Sequence, residues 1–262
     1  MIVGRFSNLE FDGREPLREE LQGTGEIRDE HFYLRMADQE FRRARFEKAL
    51  RFYSRSLEYN ANVYAAWVGQ VQMLIELGEY KEAKLWADKA LEVHRDNADI
   101  LSAKVLACAR TGDRQKAVEF SDAAIAQKGT TPFVWLARGE ALMSARQAND
   151  EYCLEKAAAE SKQDWFMQLR IARVLYSHRQ FARALAWITK ATKQEPGAPY
   201  VLHVLGDCQA ALGFSSSARS SYQQALALDP EFLLAREGLD ALNEQGFLGW
   251  LWSLVSGVFR WR

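Results

Sequence analysis

An all-α fold, a solenoid of about six helical hairpins, is predicted by three features of the sequence. Pairs of small residues seven positions apart recur at Ala49 and Ser56, Ala83 and Ala90, Ala117 and Ala124, Ala184 and Ala191, and Ala218 and Ala225. The first three pairs repeat every 34 residues, and so do the last two. Punctuation keeps the same register. Gly78, Gly112 and Gly213 stand five residues before their alanines, Phe46, Tyr80 and Phe181 stand three before, and Pro196 and Pro230 close two units. Self-similarity at such a period marks stacked supersecondary units, none of which can bury its apolar face alone.

Each unit reads as helix A, a tight turn and helix B, over 30–63, 64–97, 98–131, 132–164, 165–198 and 199–232. Small residues let the two helices of a hairpin approach closely. Bulky ones, among them Trp67, Leu74, Tyr80 and Trp86, fill the space between neighbours. Glycine ends helix A where the chain needs a positive φ. Trp67, Leu101, Trp135 and Leu202 share the fourth position of their units, and Gly139 and Gly206 the eighth. The fourth unit, "ALMSARQANDEYCLEKAAAES", departs from this pattern. Arg146 stands where the turn glycine belongs, Glu151 where the first alanine belongs, and the unit is one residue short. Its helix B is expected to be shifted or bent, with a local effect on curvature.

The flanks differ from the repeat. Residues 1–29 form an N-terminal arm, with Phe6, Leu9 and Phe11 apolar, a turn at "FDGRE" and a short helix expected to start near Pro16. Residues 233–245 read as a capping helix, with Leu234, Ala235, Leu239 and Leu242 on one face and Arg236, Glu237, Asp240 and Asn243 on the other. Gly246 then separates the cap from an apolar, aromatic tail helix, 246–262.

The whole pattern, W-x2-L-G-x2-Y followed by G-x-[YF]-x2-A-x6-A and a closing proline, resembles the tetratricopeptide repeat family. "YVLHVLGDCQAALGFSSSARSSYQQALALDP" is its fullest single match. The resemblance covers about four-fifths of the chain and implies a superhelix whose helices A line a ligand-binding groove. Carried over unit by unit, it assigns to that groove Val68 and Gln72 in the second, Leu106 in the third, and Phe133, Leu136 and Glu140 in the fourth. It also assigns Phe166, Leu169, Arg170, Arg173 and Tyr176 in the fifth, with Tyr200 and His203 in the sixth. The lysine–asparagine carboxylate clamp of some relatives is not matched, since the first unit has Leu34 and Asp38 at the corresponding places. The groove reads as apolar and aromatic with a basic spot, which suits an amphipathic or extended segment of a protein partner.

Other classes of function find little support. Formal net charge is −1 with 26% charged residues, so bulk phosphate attraction is absent and no nucleic-acid partner is expected. The related RNA-binding repeats have a longer period and a basic groove. His31, His94, His178 and His203 fall in different units, and no zinc, phosphate-loop or nucleophile-elbow motif occurs. A non-enzymatic scaffold or adaptor with no cofactor and no metal is therefore expected. Cys108, Cys153 and Cys208 are widely spaced, which suits packed thiols in a reducing, cytoplasmic setting. The N-terminus has no apolar stretch of secretory length.

The tail "GFLGWLWSLVSGVFRWR" holds three of the eight tryptophans and no acid. As a helix it spans about 25 Å, short of a bilayer's hydrocarbon core. Phe247, Trp250, Leu251, Leu254 and Val258 follow helical spacing, with Trp252, Phe259 and Trp261 beside them. Two receivers fit it equally. One is a membrane interface, making the protein a peripheral tether. The other is a protein groove, belonging to this chain, a second copy in self-association, or a partner.

Overall fold

The computed structural model describes residues 28–127 and 129–244. The arm up to residue 27 and the tail, 246–262, lie outside the described residues. Helices A and B alternate: α1 (Glu30–Arg42), α2 (Phe46–Tyr59), α3 (Tyr64–Glu76), α4 (Tyr80–Val93), α5 (Ala98–Arg110), α6 (Arg114–Ala126), α7 (Pro132–Ser144), α8 (Asp150–Glu160), α9 (Trp165–Ser177), α10 (Phe181–Gln194), α11 (Pro199–Ala211) and α12 (Ser215–Leu228). A further helix, α13, covers 233–244, the last described residues. The fold is an all-α helical repeat solenoid. It divides into two compact units, the first ending at Ser161 and the second beginning at Lys162.

One turn geometry recurs in all six hairpins. The residue two before the usual start of helix B is left-handed: Ala44, Gly78, Gly112, Arg146, Arg179 and Gly213 have φ of 58°, 79°, 82°, 56°, 59° and 83°. The next amide reaches back five residues to close helix A, as in Glu79 N–H to the Leu74 carbonyl (2.8 Å) and Gln147 N–H to that of Leu142 (2.8 Å). This is the Schellman closure, which satisfies carbonyls that the helix end would otherwise strand. Arg146 therefore keeps the turn in full, although a Cβ costs energy in this region. The irregularity lies just after it. Helix α8 starts four residues beyond Arg146, where the other helices B start two beyond their turn residue, and it runs for only 11 residues. Asn149, before its first turn, is also left-handed at φ 74°. Helix B is thus shifted, as the missing residue suggested.

Several starts of helix A are fixed by side chains. Asn97 accepts from the amides of Asp99 and Ile100 (both 3.0 Å), Asp29 from that of Phe32 (2.8 Å), and Pro132 and Pro199 open α7 and α11. All ten of the small residues that defined the period are buried. Burial at these small residues is what close approach of neighbouring helices requires.

In the first unit, successive helices A pack directly on one another, α1 on α3, α3 on α5 and α5 on α7. No two of its helices B make a contact of comparable extent. A stack closer on its A side than on its B side must curve, with helices A on the inner face. Helices α3, α5 and α7 are accordingly buried around most of their circumference.

Helix α13 packs onto the end of the second unit through Ala235 and Leu242, while Arg236, Glu237, Asp240 and Asn243 are exposed. Its register is that of another helix A, 34 residues after α11. Within complete hairpins the fourth and eighth positions of helix A carry Trp67 and Val71, Leu101 and Val105, or Leu202 and Gly206. In α13 they are Arg236 and Asp240. Packing an apolar helix B there would bury two charges.

Candidate functional site

The inner face of the first unit is built from positions two, five, nine and twelve of successive helices A. Val68, Ile75, Leu106, Ala109 and Phe133 line it at 6–8% exposure, so each keeps a small opening to solvent. Gln72 is half-buried among them. The remaining residues expected here are closed. Leu136 is 1% exposed and Glu140 is fully buried. Leu136 is a core residue because α7 sits deep in the stack, and the sequence register alone could not show how far its neighbours lean over it.

Glu140 is held by an ion pair that spacing did not reveal. The Arg110 guanidinium, at the end of α5, donates from Nε to Glu140 Oε1 at 2.6 Å. Arg110 keeps about a fifth of its side-chain surface, whereas Glu140 keeps none. The pair ties two successive helices A together beside the lining residues. Its signal in the sequence was weak, an Arg and a Glu thirty positions apart in different units.

In the second unit, Phe166 is nearly buried, and Arg170, Arg173 and Tyr176 are half-buried. Leu169 (0%) and Tyr200 (1%) are closed, so they pack the core and do not offer a surface. The Arg173 guanidinium lies 5.8 Å over the Tyr200 ring, and the ring of Tyr176 contacts that of Phe181. His203 also differs from its expected orientation. Its ring packs against Tyr222 of α12 and Phe232 before α13, at centroid distances of 5.9 Å, and Nε2 lies 3.3 Å from Asp207 Oδ2. Burial holds its pKa below the usual imidazole value, with Asp207 opposing.

That histidine belongs to a structural brace. Tyr222 donates its hydroxyl to Asp207 Oδ1 at 2.7 Å, and Tyr53 donates to Asp38 Oδ1 at the same distance, at equivalent places in the last and first hairpins. Burial pushes the Tyr222 phenol well above its ordinary pKa. It also raises the thiols of Cys108 and Cys153, and that of Cys208 to about 12. At neutral pH almost no Cys208 thiolate exists, so this group is a packing residue without nucleophilic character. Among the described residues no cluster of three or more His, Cys, Asp or Glu side chains is arranged to hold a metal ion. Nor is any described helix long and apolar enough to cross a membrane.

The repeat geometry has parallels among known proteins. No curated protein sequence matches the chain. Solved structures of similar fold include a monomeric mutant of IFIT1 bound to m7Gppp-AAAA, 16% identical over 88% of this chain and 59% of that one, with a TM-score of 0.51. The human IFIT1 dimer with m7Gppp-AAAA is 17% identical over 80% of this chain and 54% of that one, at 0.50. A chain of the APC/C hetero-tetramer Cut9–Hcn1 is 13% identical over 82% and 43%, also at 0.50. At such identities the likeness is one of fold. The model of the tetratricopeptide repeat-like domain matches residues 62–241, more than two thirds of the length. It spans the last five of the six hairpins described above, and the chain belongs to that family.

Proposed function

We propose that the chain is a non-enzymatic protein-binding scaffold and that the inner face of its first unit takes an apolar segment of a partner. A repeat fold of this kind supports a protein-interaction role. One observation carries the finer reading: Val68, Leu106 and Phe133 are apolar and nearly buried, each keeping 6–8% of its surface, next to a half-buried Gln72. Such residues suit apolar anchors of a partner, with Gln72 available to bond a polar backbone. The half-buried Arg170 and Arg173 give the second unit a basic face of its own, suited to acidic residues in a partner.

Selection of a displayed peptide library on the full chain tests this. Enrichment of segments with apolar residues at regular spacing is expected. Gln72→Arg places a charge among the apolar anchors and should weaken the selected peptides at least tenfold, which is about 1.4 kcal/mol. Leu85→Arg, on the exposed side of α4, should leave them unchanged. Equal loss in both variants, or no enrichment, would remove the assignment.

A second reading rests on the composition of the tail, which holds three tryptophans and no acid. In this reading the tail inserts in a membrane interface and the repeats recruit the partner. Co-sedimentation with vesicles containing anionic lipid should retain the full chain and release a truncation after Gln245. If both stay in the supernatant, the tether is lost and a protein groove receives the tail.

A further inference from the structure

We propose that His203 is an acid-sensitive latch: with a neutral ring it holds α13 against the last hairpin, and a proton on that ring releases the helix.

The latch is built within the second unit. His203 lies on α11 and is 7% exposed. Its ring packs at 5.9 Å against Tyr222 of α12 and, nearly edge to face, at 5.9 Å against Phe232, which leads into α13. Helix α13 closes on the same tyrosine, since a Cβ on Gly238 would stand 2.7 Å from that ring. The seat of α13 and the packing of His203 therefore share two aromatic rings, Tyr222 and Phe232.

Hydrogen bonding decides where a second proton must go. A carboxylate only accepts, so Nε2, 3.3 Å from Asp207 Oδ2, is the protonated nitrogen of the neutral ring. Nδ1 is buried and has no hydrogen-bond partner among the described residues. A proton added there is a donor without an acceptor, inside an aromatic pocket. The packed ring has no place for it, and the ring that turns out to find water takes its contact with Phe232 along.

The surrounding charges do not offset this cost. Asp207 favours a charged ring, but its other oxygen accepts from Tyr222, and it keeps about a fifth of its side-chain surface, where water screens it. Arg173 of α9 opposes the charge. Tyr176 of α9, Cys208 of α11 and Tyr222 are all held neutral by burial. Asp229, in the turn before α13, accepts from the amide of Glu231, and Arg236, Glu237 and Asp240 of α13 are exposed. Burial is the largest effect, and it leaves the packed ring harder to protonate than an ordinary imidazole at 6.5. The released ring regains the ordinary value. The latch therefore holds in full above about pH 6.5 and weakens as pH falls below that, by up to about tenfold per pH unit.

Amide exchange of residues 231–244 in the full chain, expressed as protection relative to the intrinsic rate at each pH, tests the latch. Protection should fall about tenfold from about pH 7 to about pH 5. His203→Phe fills the aromatic pocket without titrating and should keep equal protection at both pH values. His203→Gln keeps a donor for Asp207, cannot titrate either, and should behave alike. Level protection in the unaltered chain would overturn the proposal, as would the same fall in either folded variant.

Discussion

Gly206→Ala is expected to destabilise the second unit by about 2–3 kcal/mol, at the upper end of what one overpacked methyl costs. An added Cβ would stand 2.5 Å from the Tyr222 ring. The ring has no direction in which to yield. Gly238 approaches it so closely that a Cβ there would stand 2.7 Å away, its hydroxyl is fixed on Asp207, and the His203 ring lies against it. Gly213→Ala makes the informative contrast. That position has open space for a Cβ but sits at φ +83°, so its cost is backbone strain alone, about 1–2 kcal/mol. Denaturation followed by helical circular dichroism should place the Gly206 variant below the Gly213 variant. Equal midpoints would mean that the tyrosine brace is loose.

Arg110→Ala should cost about 3–5 kcal/mol, because it leaves a buried carboxylate without its principal counter-charge. Glu140 has no exposed side-chain surface, so water cannot replace the guanidinium. The companion change is Glu140→Leu. Leu106 occupies the same register position one hairpin earlier, which shows that leucine fits this environment. The double variant Arg110→Ala, Glu140→Leu should recover most of the loss, since removing both charges removes the unmet desolvation as well. A double-mutant cycle on thermal stability reads this coupling. A loss below about 1 kcal/mol for Arg110→Ala would class the pair with exposed salt bridges.

The helical hairpin was legible because its signals are backbone and volume constraints. Small residues mark contacts that tolerate nothing larger, and the pairs from Ala49 and Ser56 to Ala218 and Ala225 are buried throughout. Glycine marks left-handed turns, but only half of them here. Ala44, Arg146 and Arg179 adopt the same conformation against their preference, held by the same backbone closure. Arg146 therefore looked like a broken turn, when the change lay in the start of α8. Site residues were less legible. Register assigns a face, whereas exposure depends on how closely the next helix leans over it. Val68, Leu106 and Phe133 keep 6–8% of their surface while Leu136 and Leu169 keep 1% or less, although all five share the positions that the family pattern assigns to the groove. His203 turned away for a similar reason. Phe232, the last residue of the sixth unit, packs against its ring from beyond helix B, a contact that the spacing of the repeat does not announce.

The central claim is that the inner face of the first unit is the binding surface. Photo-crosslinking a selected peptide to the full chain tests it most directly, with the photoreactive residue placed at Gln72 in one sample and at Leu85 in another. Crosslinking at Gln72, competed by unlabelled peptide and absent at Leu85, is the predicted result. Crosslinking at Leu85 with none at Gln72 would put the binding surface on helices B and contradict the account.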